Sequence, residues 1–193
     1  MIFIIIVNYY FVEKNMVLMT GEFDQHGKLC SRVMVGNLSF LVERTNLQIL
    51  DDTLKYIGLD LKGSIVGAKS ILGNRCMCPF IVNPYQGICL FPDKSPTKED
   101  CIWFNPDHII NTTAIGNKTE VELSNGHSII VDSKRSHFNN KIQTANQLKR
   151  TSLERGNHPS PITLYLEPKK GRKLCKERNG KYNFNCLDEK PKE

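Results

Sequence analysis

Short apolar runs bounded by turn residues recur along most of this chain, and their spacing predicts its elements. Ser31 to Val35 and Leu38 to Val42 flank Gly36-Asn37, which predicts two strands joined by a tight turn. Asp24 to Lys28, with Gly27, reads as a polar turn before them. Tyr9 to Val12 and Met16 to Met19 surround Glu13-Lys14-Asn15 and predict a hairpin. Then the period changes. Leu47, Leu50, Leu54 and Ile57 recur at helical spacing, so a helix is expected with Asn46 as its cap and Gly58 as its stop. Leu61 to Leu72 contains Gly63 and Gly67 and runs into Gly73; these glycines weaken a helix, and half loop is expected.

The second half is rich in strand patterns. Phe80 to Val82 and Ile88 to Phe91 are apolar runs, and Pro92 should end the second because it has no N–H to donate. Cys101 to Phe104, holding the only tryptophan, is stopped by Asn105-Pro106. His108 to Ile115, Thr119 to Leu123 and His127 to Val131 follow, the last two joined by Asn125-Gly126, which tolerates the positive φ a hairpin needs. Ser133 is expected to cap a helix over about His137 to Arg150. Past Thr151 only Ile162 to Leu166 is apolar, and residues 151–193 read as a mostly disordered tail. The expected fold class is therefore α+β: mainly antiparallel strands, two to three helices, and one domain over residues 1–150.

Charge divides the chain. Residues 1–133 carry a net −3 and residues 134–193 a net +9, giving the overall +6. A basic final third suits a polyanionic partner such as nucleic acid, or is a solvated basic tail. Seven cysteines at uneven spacing form no paired framework, so reduced thiols in a cytoplasmic protein are expected. The apolar Met1 to Val7 breaks at Asn8, too short for a membrane span; it is read as a strand, the alternative being that translation starts at Met16 or Met19. No membrane partner is expected.

Candidate chemistry is sparse. The five histidines lie at 26, 108, 127, 137 and 158 with no motif to organise them, and no phosphate loop is present, so no catalytic residues, no cofactor and no enzyme activity are expected. Cys76, Cys78, Cys89 and Cys101 offer four thiols, and a zinc-stabilised domain is the alternative they raise. The expected reading is that they are core residues and that there is no metal site.

An ordered series of motifs adds a resemblance. Phe91-Pro92, Ser95-Pro96 and Cys101-Ile102-Trp103 are followed by His108-Ile109. Around them stand Gly27-Lys-Leu-Cys-Ser31, Asn46-Leu-Gln-Ile-Leu50, Tyr56-Ile-Gly58, Gly67-Ala-Lys69, Pro79 to Pro84, Thr119 to Gly126, Phe138 to Asn140 and Leu148-Lys149. In this order they resemble the competence transcription factor (ComK) family of low-GC Gram-positive bacteria over about residues 27–150. The chain departs from that pattern at Leu59 to Ser64, which lacks the members' serines, tyrosine and arginine, at Met77-Cys78-Pro79, which lacks a lysine, and at Thr144, where members often carry arginine.

The resemblance implies a DNA-binding activator of competence genes. It implies AT-rich boxes bound mainly through the minor groove, by dimers or pairs of dimers on bent DNA. A narrow AT-rich groove concentrates negative potential, and amide side chains can read its floor. On that basis Lys55, Lys62, Lys69, Lys134, Arg135, Asn140, Gln143, Lys149 and Arg150 are the expected DNA contacts. Asn139, Asn146 and Gln147 share the amide face of the last helix, while Phe138, Ile142, Ala145 and Leu148 form its apolar face. Lys141 and Lys149 fall on the apolar side, which implies either that they snorkel to the rim or that the helix is irregular there. Ile162 to Pro168 resembles the patch through which members are delivered to a proteolytic adaptor. The missing cations also raise a diverged paralogue that acts through protein partners.

Overall fold

A computed structural model describes residues 5–157 together with Cys175 and Lys176. The first 158 residues form one unit, and of the second, Pro159–Glu193, only that pair is described. Ten strands and three α-helices build the first unit: β1 Ile6–Val7, β2 Met16–Phe23, β3 Leu29–Val35, β4 Leu38–Val42, α1 Asn46–Tyr56, α2 Leu61–Leu72, β5 Phe80–Asn83, β6 Ile88–Pro92, β7 Ile102–Phe104, β8 Ile109–Ile115, β9 Lys118–Leu123, β10 Ser128–Val131 and α3 Arg135–Asn157. The α+β class and its antiparallel character are as expected.

The strands make two sheets. Seven lie in the order β1-β4-β3-β2-β7-β6-β5, and three in the order β10-β9-β8. Among the described strands every pairing is antiparallel except β1 with β4. The central strand β2 is apolar at Met16, Val17, Leu18 and Met19, all buried, because it is flanked by β3 on one side and β7 on the other. The helix α3 packs on β5 and β6 of the large sheet and on β8 and β9 of the small one, so one helix seals both sheets. Its Phe138 meets Phe91 and Phe104 with ring centroids 5.7 and 5.3 Å apart, an edge-on aromatic cluster at the junction. Trp103 packs edge-on against Phe80 at 5.4 Å. Gly87 to Phe104 is thus scaffold.

Several expectations are corrected. Tyr9 to Val12 is not a strand, and no hairpin joins it to Met16. Instead Val12 donates its N–H to Thr53 Oγ1 on α1 at 3.0 Å, Tyr10 packs on Phe40, and Phe11 stacks on Tyr56. The strand of this region is β1, which runs beside β4. The cap of α1 is Thr45, not Asn46. Thr45 and Gln48 exchange backbone–side-chain bonds in a capping box, and Asn46 turns inward to donate to Cys101 O at 3.0 Å. Leu61–Leu72 is helical throughout; Asp60 caps it by accepting the Gly63 N–H at 2.8 Å, and burial of Ala68 and Leu72 holds it. Pro92, by contrast, ends β6 as expected: it is the last residue of that strand, paired there with Trp103. The last helix starts before His137 and continues past Arg150 to Asn157, so residues 151–157 belong to the fold and not to a tail.

Turn residues behave as the pattern required. Gly58 ends α1 with φ 79° and Gly126 closes the β9–β10 hairpin with φ 82°, both in the left-handed region. Asn105 stops β7 and ties it down: its amide donates to Lys14 O and Met16 O, and its oxygen accepts from Asp107 N–H.

Candidate nucleic-acid interface

Helix α3 presents the amides that sequence reading selected. Asn140, Gln143, Asn146 and Gln147 are exposed, while Phe138, Ala145 and Leu148 are buried. Asn139 is different: its oxygen accepts from Thr112 Oγ1 at 2.9 Å, so it clamps the helix to β8. Arg135 joins the same knot by donating Nε–H to Thr112 Oγ1 at 3.3 Å. Lys134 stands exposed just before the helix. Lys134 and Arg150 are 16 positions apart, about 24 Å along a helix, so the two basic ends of α3 cannot meet at one phosphate.

The two lysines on the apolar side reach out as expected, and both are occupied. Lys149 forms an ion pair with Asp107, joining α3 to the turn Pro106–His108. Lys141 donates to the backbone carbonyls of Pro92 and Asp93. Burial lowers the Lys141 pKa, opposed by the Asp93 charge, and burial raises that of Asp93. Arg150 is exposed and within 3.7 Å of Glu154 one turn on.

Lys55 pairs with Asp51 on α1 at 2.6 Å, which raises its pKa. Lys62 and Lys69 are exposed on α2. They line a groove of about 690 Å³ between α1 and α2, together with Asp51, Asp60 and the apolar Leu47, Ile65 and Val66. That groove is mixed in charge. Beyond it the character changes. Lys69 and Arg75 both act electrostatically on Cys78, pulling its pKa down against the larger upward push of burial. Arg75 lies in the loop after α2 and donates to Thr144 on α3 at 3.4 Å. Arg75, Asn140 and Thr144 therefore come together from the loop after α2 and from α3, while Lys69 stands with Lys62 at the α1–α2 groove.

Arg75 was missed by sequence reading. It is a single arginine in a Gly-Asn-Arg-Cys turn, with no periodicity or charge cluster to mark it; only the packing of α2 on α3 brings it to the amide face. It stands at Thr144, the position where the family pattern led one to expect an arginine and found none.

The opposite character belongs to the small sheet. Thr119, Val121 and Leu123 are buried, and Glu120 and Glu122 alternate to the other face. There the cross-strand rows read Ser128–Glu122–Asn111 and Ile130–Glu120–Thr113. This face carries two carboxylates, and its Lys118 is paired with Asp132 at 2.8 Å. It would repel a polyphosphate.

The cysteine alternative does not assemble. Among the described residues no group of three or more histidine, cysteine or acidic side chains is placed to hold a metal ion. Cys76 is exposed, Cys89 donates to Ala145 O, and Cys101 to Lys94 O. His108 lies between Ser124 Oγ at 2.6 Å and Lys14 O at 2.9 Å, a structural bridge. No described helix is long and apolar enough to cross a membrane. Ile162 to Pro168 lies outside the described residues.

These features define a class: an α+β protein whose two antiparallel sheets share one long helix, with cations and amides gathered on one side of it. The family model described as ComK protein matches residues 7–156, and the chain belongs to that family. Over 149 residues it is 28% identical to the competence transcription factor of Bacillus subtilis (strain 168), covering 76% of this chain and 78% of that protein. No solved structure matches it.

Proposed function

We propose that this protein is a DNA-binding transcriptional activator of competence genes, acting in the cytoplasm as a dimer or pair of dimers on AT-rich boxes. Family membership supports the regulatory role. The observation that carries the DNA reading is the gathering of Arg75, Lys141, Asn140 and Thr144 in one place, opposite in character to a sheet face bearing Glu120 and Glu122. Cations beside amides match the two needs of minor-groove binding: phosphate neutralisation, and donors for the adenine and thymine acceptors on the groove floor.

Within this reading the nine residues selected from sequence divide by role. Asn140 and Gln143 are exposed amides that read the groove. Lys62, Lys69, Lys134, Arg135 and Arg150 neutralise phosphates along a track longer than one contact. Lys55 and Lys149 are already paired with Asp51 and Asp107, so they contribute less to affinity than their charge suggests. The segment Ile162 to Pro168 remains a proposed docking peptide for a proteolytic adaptor.

Gel shifts with an AT-rich palindromic duplex and a GC-rich control, across a salt series, test the function. Tighter binding to the AT-rich duplex, weakening steeply with salt, is expected. Equal affinity for the two contradicts sequence selection. Failure to shift either duplex while co-purifying with a partner protein favours the diverged-paralogue reading.

A further inference from the structure

A small pocket of about 120 Å³ lies between α3 and the loop that leaves α2. Its lining includes Arg75 from the loop and Asn140, Lys141 and Thr144 from α3, with Met77 and Cys78 beside them. No carboxylate lines it. Thr144 Oγ1 donates its one proton to Asn140 O at 2.7 Å, so the groups that face an oxyanion here are two cations and the Asn140 amide, with no acid among them.

The arginine is held in place before any ligand arrives. Its Nε–H donates to Leu72 O at 3.2 Å and its Nη1 to Thr144 Oγ1 at 3.4 Å. Among the described residues those are its recorded bonds, and the Nη2 end of the fork remains for a third partner. Lys141 is likewise fixed: the carbonyls of Pro92 and Asp93 and the Met77 sulfur, at 4.0 Å, take its three protons, so it acts on the pocket through its charge. The loop itself is strained. Met77 has φ 51°, the one described residue other than glycine with positive φ. A non-glycine residue there persists only when its surroundings impose it. Here the strain accompanies a loop that presents both Arg75 and the part-exposed Met77 to the α3 side.

We propose that this pocket is a phosphate site that clamps one backbone phosphodiester of the bound duplex, with Arg75 as its principal ligand, the Asn140 amide as a second donor, Lys141 adding charge and Thr144 holding Arg75 in place. The proposal rests on the DNA reading above and deepens it: it fixes the register in which the amide face of α3 meets the groove. A phosphate contact positions the protein without reading sequence. Arg75 therefore contributes affinity equally to every duplex.

Two measurements on the full chain test it, each with wild type, Arg75→Gln and Arg75→Lys, and with Lys118→Ala as the control on the acidic sheet. The first follows the thermal midpoint as inorganic phosphate is added. The wild type should gain stability, and R75Q should gain less. The second repeats the salt series on both duplexes. R75Q should bind each about tenfold more weakly, keep the AT-over-GC ratio, and show a salt slope smaller by about 0.9, the value of one phosphate contact. R75K should restore most of the slope, because the charge remains. A urea midpoint for each variant separates lost binding from lost folding, and a wild-type midpoint in R75K keeps the comparison sound if R75Q is destabilised. Wild-type affinity and slope in R75Q overturn the phosphate site while leaving the DNA reading intact. Loss of the AT-over-GC ratio in R75Q also overturns it, because Arg75 would then be reading bases. A wild-type protein that shifts neither duplex refutes the DNA reading instead. The phosphate melt then decides the pocket alone: protection lost in R75Q supports it, and no protection overturns it.

Discussion

Cys89 and Cys101 show how burial sets chemistry at the scale of one residue. Both thiols are pushed up to about 12 from the ordinary 9.0, with burial the largest cause for each. They are therefore inert as nucleophiles at neutral pH, and their roles are packing and weak donation to Ala145 O and Lys94 O. The sign of the pH effect follows. Between pH 9 and 12 the folded state keeps these protons while the unfolded chain loses them, so their contribution to stability is complete below pH 9 and is lost as pH rises towards 12. Urea midpoints measured from pH 8 to 11 should fall, and replacing Cys89 and Cys101 together by serine should flatten that fall. An unchanged fall in the double variant contradicts the assignment. Sequence reading placed these cysteines in the core correctly. It erred at Asn46 because a cap and an inward donor are the same residue type; the choice of Thr45 depends on Gln48 returning a bond to the Thr45 N–H. Arg75 was illegible for a related reason, since its meaning lies in a partner 69 positions away.

At the scale of elements, α2 is the instructive miss. Three glycines argued against a helix, yet Leu61–Leu72 forms one because Asp60 caps its first turn and Ala68 and Leu72 are buried. Propensity is a weak prior that packing overrides. The two internal glycines are not equivalent. A Cβ at Gly67 would meet nothing within 4 Å, whereas a Cβ at Gly63 would lie 2.8 Å from Asp60 Oδ2 and press on the cap. Gly67→Ala should therefore stabilise the protein by about 0.5–1 kcal/mol, and Gly63→Ala should destabilise it by about 1 kcal/mol through the disturbed cap. Paired urea titrations check both, and equal effects of the two changes contradict this account of the helix. The β-hairpins were more legible. Gly36-Asn37 and Asn125-Gly126 sit between clear apolar runs, and turn chemistry is local. The length of α3 was not, because Thr151 to Asn157 has no apolar period of its own and continues a helix already begun.

For the whole molecule, charge and topology agree. One long helix seals two sheets, and the side where it meets α2 collects cations and amides, while the outer face of the small sheet collects Glu120 and Glu122. The sequence revealed the basic bias of the C-terminal third and the amide face of its helix. It did not reveal that Lys149 is neutralised by Asp107, nor that the loop after α2 delivers Arg75 to the same side as Asn140. Both depend on contacts between distant segments, which no local pattern encodes. The central claim is that DNA meets the protein on the α2–α3 side. Mapping backbone amide shifts of the full chain as an AT-rich duplex is added tests this most directly. The account predicts that the perturbed amides cluster at Arg75, Asn140, Gln143 and Thr144, with Glu120, Glu122 and Ser128 unmoved. Perturbations centred on β8, β9 and β10, with the α2–α3 side silent, would contradict it.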